Sequence, residues 1–205
     1  MGMRAALGVM LVATLAACEP VGMTGPGQPA VRLMGDVVVA APDGYCVDPV
    51  VTRPQTGFAL LAACAAMDPD GDGSFPDDVA LITVQVGAAG SAAVAGQEDA
   101  FRAFLETPQG AALLSASAIG GPVAVRGTQA NTNAVAVYTQ DAGPPGVAGT
   151  QSTSWRLFTD VKGRLVTVSV RGLEQTPLSQ DGSLDLVLQV LGLLRGANGG
   201  TATAT

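Results

Sequence analysis

At 205 residues with a formal net charge of −7, the chain is long enough to bury one core and too acidic to favour nucleic acid or anionic lipid headgroups. It contains no histidine, which removes His-based triads, most zinc sites and the commonest general base at neutral pH.

Arg4 precedes an apolar run over residues 5–15, and small residues lead up to Cys18. That is the three-part layout of a secretory signal, and the run is too short for a transmembrane helix, which needs about 20 apolar residues. Leu15-Ala16-Ala17-Cys18 resembles the bacterial lipobox. The resemblance implies a lipoprotein whose signal peptide, residues 1–17, is cut off before Cys18. The Cys18 thiol would carry a diacylglycerol and the new amine a fatty acyl chain such as palmitate. The alternative is an ordinary cleavable signal in which Cys18 is a chance residue. Each buried methylene adds about 0.8 kcal/mol, so two or three chains would hold the protein on a bilayer essentially permanently. Removing 17 of 205 residues leaves 188, and losing Arg4 takes the charge from −7 to −8. The lipid would place the chain on the periplasmic face of the envelope, and Glu19 does not decide between inner and outer membrane.

Residues 18–35 read as a flexible tether, rich in Gly and Pro as far as Pro29. Residues 36–196 read as a single domain and 197–205 as a disordered tail. Within the domain, residues 36–41 are a first strand, ended by the turn Pro42-Asp43-Gly44. Residues 58–64 are a second buried strand, although their length leaves a helix open. Residues 80–86 alternate, with Leu81, Thr83 and Gln85 on one face and Ile82, Val84 and Val86 on the other. The Ala/Gly stretch 87–96 reads as a mobile linker. A helix over about residues 97–105 follows, with Ala100, Phe101, Phe104 and Leu105 on one stripe. Thr107-Pro108 has the form of N-cap and first position of a short helix running to about Ser115.

Residues 123–128, 134–139 and 152–159 read as strands. In the last, Trp155 and Leu157 alternate against Ser154 and Arg156. A hairpin turn at Asp160-Val-Lys-Gly163 leads into residues 165–171, where Val166, Val168 and Val170 face inward. A closing helix opens at Thr176-Pro177-Leu178-Ser179, carries Leu184, Val187, Leu188 and Leu191 at helical spacing, and ends with Gly196 past Arg195. The order implies α+β: a mostly antiparallel sheet of about six to seven strands, a helical insertion and a packed C-terminal helix. In order and length, residues 36–195 resemble the fold of the photosystem II extrinsic oxygen-evolving protein, a likeness of architecture that carries no functional residues. The segments Gly44-Tyr-Cys-Val-Asp-Pro49, residues 57–64 and Thr107-Pro108-Gln-Gly110 resemble small lipoproteins of Gram-negative bacteria to which no activity is attached.

Beyond Cys18 the cysteines are Cys46 and Cys64. Two thiols in an exported, oxidising compartment most simply pair. A redox-active pair is the alternative, against which stand the absent Cys-x-x-Cys spacing and the absence of a nearby Lys or His to depress a thiol. Asp68, Asp70, Asp72, Asp77 and Asp78 place five carboxylates in eleven residues, with no Lys or Arg between Arg53 and Arg102. The first three, with Gly73, follow the alternate-acid pattern of a calcium loop, but its closing position holds Val79 instead of Glu. The segment is either a solvated acidic turn or a weak divalent-cation site, calcium being the fitting ion. No other cofactor is expected. A nucleophile needs an adjacent base, and without histidine only Lys162 or a carboxylate could serve. The sequence therefore points to a non-catalytic envelope lipoprotein that binds a protein partner or supports an assembly. The alternative is a small-ligand or weak calcium-binding module. Expected partners are the membrane, through the lipid, and an unidentified envelope protein, with no nucleic acid.

Overall fold

The alternating valines of the middle and the end of the chain meet across one antiparallel sheet. The computed structural model describes residues 27–68, 74–115 and 122–199. Strands β1 (Ala30–Leu33) and β2 (Val37–Ala40) form a separate hairpin. Strands β3 (Tyr45–Val47), β4 (Phe58–Ala63), β5 (Ala80–Val86), β6 (Val123–Asn131), β7 (Ala134–Asp141), β8 (Thr153–Val161) and β9 (Arg164–Gly172) form a seven-stranded sheet. Its order is β3-β4-β5-β9-β8-β7-β6. Helices α1 (Cys64–Met67), α2 (Glu98–Leu105), α3 (Pro108–Ala112) and α4 (Gln180–Ala197) complete the α+β architecture.

On the inner face, Ile82, Val84 and Val86 stand opposite Val170, Val168 and Val166, all essentially excluded from water. Leu186, Val187, Val190, Leu191 and Leu194 of α4 lie on them, and Val31, Leu33, Val37 and Val39 of the β1–β2 hairpin extend the same core. Full burial of each such side chain contributes about 1.5–3 kcal/mol, so this layer dominates stability. Both ends of α4 are fastened. Near its start, Trp155 Nε1 donates to the Gln180 carbonyl at 2.9 Å. At its end, the Asn198 amide accepts the Val38 N–H at 2.9 Å and donates to the Val38 carbonyl at 2.7 Å, as a neighbouring strand would.

The outer face is covered over only part of its width. Val94, Leu105 and Leu114 pack with Val135, Val137 and Phe158 there, and the Phe101 ring meets Phe158 edge-on at 5.3 Å. Among the described residues, the α2–α3 insertion thus roofs the β6–β7 side, with Leu165 of β9 at its margin, and leaves β4, β5 and the rest of β9 open.

Several elements depart from the sequence reading. The ordered fold begins before residue 36: Ala30–Leu33 is a strand with Val31 and Leu33 buried, so the span taken as tether ends near Gln28, whose N–H already donates to Val47. Four residues of alternation beside Gly and Pro gave too short a periodic signal. The stretch over residues 87–96 is pinned instead of loose. The Asp160 carboxylate accepts the N–H groups of Ala93, Val94 and Ala95 at 2.8–3.0 Å, and Val94 is fully buried. Residues 58–63 are strand, resolving that ambiguity, and α3 stops at Ala112. Helix α4 runs through Gly196 to an Asn198 C-cap, with Gly199 taking the left-handed conformation. Its buried stripe includes Val187 and Leu191, as the spacing implies, together with Leu186, Val190 and Leu194, while Leu184 and Leu188 are half-buried. The β8–β9 hairpin turns on Lys162 and Gly163, both at positive φ, the backbone of a type I′ turn.

Candidate binding site

Of the residues singled out in the sequence, Cys18, Asp70 and Asp72 lie outside the described residues. Cys46 and Cys64 are joined in a disulfide with a Cα–Cα distance of 4.9 Å. It staples β3 to β4 where Cys46 faces Ala62, and Cys64 then opens α1. Gly27 lies over the bridge so closely that an added Cβ would stand 2.3 Å from Cys46 Cβ. Asp68 is the C-cap of α1, its N–H donating to the Cys64 carbonyl.

Asp77 and Asp78 lead into β5 and border a shallow hollow of about 360 Å3 together with Asp43, Tyr45 and Asp185. Asp68 does not reach it. The Tyr45 hydroxyl donates to the Asp78 carbonyl. Burial pushes the phenol up to about 12, and the Asp78 charge acts in the same direction. The Asp78 carboxylate lies against the first turn of α4, where an added Cβ on Gly182 would be 3.3 Å from Oδ1. Negative charge is favourable at a helix N-terminus, which gives Asp78 a structural role. Among the described residues no three acidic or thiol groups converge as metal ligands would.

A different site emerges on the open part of the outer face. The period of two that sends Trp155 and Leu157 into the core sends Arg156 outward at mid-sheet. Arg156 stands opposite Ser169 of β9, and Ser169 opposite Thr83 of β5. One rung along, Arg171 faces Leu81 and reaches Ser154 Oγ at 3.4 Å. Two hollows meet at Arg156 and Ser169. One, of about 310 Å3, is walled by Phe58, Leu81, Val147 and Arg171. The other, of about 440 Å3, runs between the sheet and the α2–α3 roof, against Phe101, Phe104, Leu113 and Leu114. Large apolar side chains on the rim are exposed, Leu113 by 71%, Val147 by 50% and Phe104 by 43%. Apolar surface gathered round a concavity marks a binding face more than an ordinary surface.

The electrostatics of the floor are unbalanced. Arg156 Nε is buried without an acceptor, and among the described residues Arg156 enters no hydrogen bond or ion pair. Its guanidinium is held below the usual arginine range, chiefly by burial and then by the neighbouring Arg171 charge, with Asp141 acting against both. Burial likewise lowers Arg171, again opposed by Asp141. Asp141 is itself occupied, accepting the Gly143 N–H at 2.8 Å and the Ser115 hydroxyl at 3.2 Å. The Ser169 and Thr83 side chains enter none of the hydrogen bonds among the described residues. The sequence alternation places Arg156 only on the strand face opposite Trp155 and Leu157. The available signal was an arginine on a strand too central to have an open edge, followed fifteen residues later by Arg171 on the adjacent strand.

No protein-family model and no curated protein sequence matches the chain. Among solved structures it is similar to a point mutant of the protein Mog1, with a TM-score of 0.45 and 11% identity, over 82% of this chain and 93% of that one. A likeness of that size carries no functional argument.

Proposed function

We propose that the protein is a non-catalytic binding module held on a bacterial envelope by lipid on Cys18, and that it meets its partner with the open outer face of its sheet. The observation that carries the binding face is Arg156, a charge kept at mid-sheet beside exposed apolar walls with no acceptor for its Nε. Leaving such a donor unsatisfied costs about 1–3 kcal/mol, a cost that makes sense where a partner supplies the acceptor. The anchor is supported by the Leu15-to-Cys18 motif. From Cys18 to Gln28 is 10 residues, a reach of at most roughly 36 Å, so a lipidated Cys18 would keep the domain against the bilayer. A non-catalytic role is supported by the missing histidine and by the disulfide, which leaves neither Cys46 nor Cys64 as a free thiol nucleophile.

Two measurements test this reading. A Cys18→Ser chain should leave the membrane fraction or accumulate as unprocessed precursor; correct cleavage with continued membrane attachment would overturn the anchor. Crosslinking in intact envelopes should trap a partner on wild-type protein and lose it on Arg156→Met. A turnover activity abolished by a single Asp substitution would replace the binding module with an enzyme.

A further inference from the structure

The two hollows flanking Arg156 differ in chemistry, and the difference specifies a ligand. At their junction stand the Arg156 guanidinium and the Ser169 hydroxyl, and the smaller hollow adds Arg171 and Thr83. The nearby counter-charge is Asp141, already engaged with Gly143 and Ser115. Among the described residues, two positive charges and one negative leave one positive charge over, in a chain whose net charge is −7. A monoanion neutralises that surplus, whereas a dianionic phosphate monoester would exceed it. A planar carboxylate also matches the guanidinium fork, which can direct two parallel N–H groups at its two oxygens.

Away from the junction, the hollow under the α2–α3 roof is lined by Phe101, Phe104, Leu105, Leu113, Leu114 and Phe158. Its wall is mostly apolar, with Gln85 and Thr167 as the polar side chains away from the junction, and its volume of about 440 Å3 lies in the range of small-molecule sites. A charged head at Arg156 with an apolar tail under the roof would satisfy both halves.

We infer that this groove binds a monocarboxylate bearing an apolar tail, its head on Arg156 and Arg171 and its tail between α2–α3 and the sheet. The inference rests on the reading of the outer face as the binding surface, and it commits that face to a small amphiphilic acid. The Ser169 hydroxyl, opposite Arg156, with Thr83 on its far side, would take the remaining carboxylate lone pairs.

The test is calorimetric titration of the purified full chain, at constant non-ionic detergent, with octanoate, acetate, 1-octanol and octyl phosphate. Octanoate should bind one to one, and acetate and octanol should each bind at least about tenfold more weakly, since each lacks one half of the ligand. Arg156→Met should lose at least about tenfold in octanoate affinity. Arg156→Lys, which keeps the charge but not the fork, should also weaken binding while preserving the fold. Unchanged octanoate affinity in both variants would overturn the inference. So would acetate equal to octanoate, which indicates an anion patch, or octanol equal to octanoate, which indicates an apolar hollow alone. Tighter binding of octyl phosphate would reassign the head group and overturn the carboxylate. Absence of octanoate binding, with an envelope crosslink still lost in Arg156→Met, would sink the ligand and leave the binding face standing.

Discussion

Replacing Arg156 by Met should make the ligand-free protein more stable. Arg156 Nε is buried without an acceptor, and its charge lies beside that of Arg171. A buried donor left unsatisfied costs about 1–3 kcal/mol. Met keeps most of the apolar stem that packs against the sheet, so the substitution removes the cost and little else. Because the residue is only partly enclosed, the gain belongs in the lower part of that range, about 1–2 kcal/mol. For a domain of this size each kcal/mol moves Tm by about 2–4 °C. Urea unfolding should give a raised midpoint with an unchanged slope. Arg164, on the neighbouring strand, is the control. It pairs with Asp36 at 3.2 Å and donates to the Gly87 carbonyl at 3.1 Å, so Arg164→Met should lose about 1–2 kcal/mol. If Arg156→Met is destabilised as much as Arg164→Met, the guanidinium is a structural group and the reasoning that makes it a binding group fails.

Three further outcomes follow from the structure. Cys46→Ala/Cys64→Ala should lose about 3 kcal/mol of stability in denaturant unfolding, the loop-closure value for a bridge of this span; a loss indistinguishable from zero would remove the staple from the account. Asp160→Ala strips three backbone N–H groups of a charged acceptor and should cost about 2–3 kcal/mol, with faster hydrogen exchange at the Val94 amide, while unchanged exchange there would show the segment held by other means. Glu98 is held below its usual 4.5 by its own backbone N–H, then those of Asn133 and Gly96. A depressed carboxyl stabilises the fold above its unfolded pKa and loses that contribution as pH falls through the folded value. The Tm gap between wild type and Glu98→Gln should therefore close below pH 4.5, and a gap constant with pH would refute the linkage.

What was legible in the sequence was whatever depends on neighbours in the chain. The alternation of Ile82, Val84 and Val86 marks β5 and its buried face because pleating fixes both within a few residues. Thr107-Pro108 marks the start of α3 because the Thr107 hydroxyl accepts the Gly110 N–H, three residues on, at 3.1 Å. Elements whose order comes from distant partners were misread. Residues 87–96 have the composition of a loose linker and are fixed by a carboxylate more than sixty residues away. The β1 strand is short, and its burial depends on the core it shares with β2 and α4.

The groove was illegible for the same reason. Alternation says that Arg156 points away from Trp155, but not whether that side of the sheet is wet, roofed or half-roofed. The answer depends on α2 and α3, inserted some fifty residues earlier, which pack over β6 and β7 and, among the described residues, leave β5 and most of β9 uncovered. Arg156 thus falls at the boundary between a packed face and an open one. A guanidinium further under the roof would need a counter-ion to remain buried, and one further out would be solvated and exert little grip. The boundary leaves it partly dehydrated yet reachable, the condition under which the inferred carboxylate would bind. The same argument explains why the acidic residues drew more notice in sequence. Asp68, Asp77 and Asp78 are clustered along the chain, whereas Arg156 and Arg171 become neighbours only through the β8–β9 register that also sets Trp155 opposite Val170.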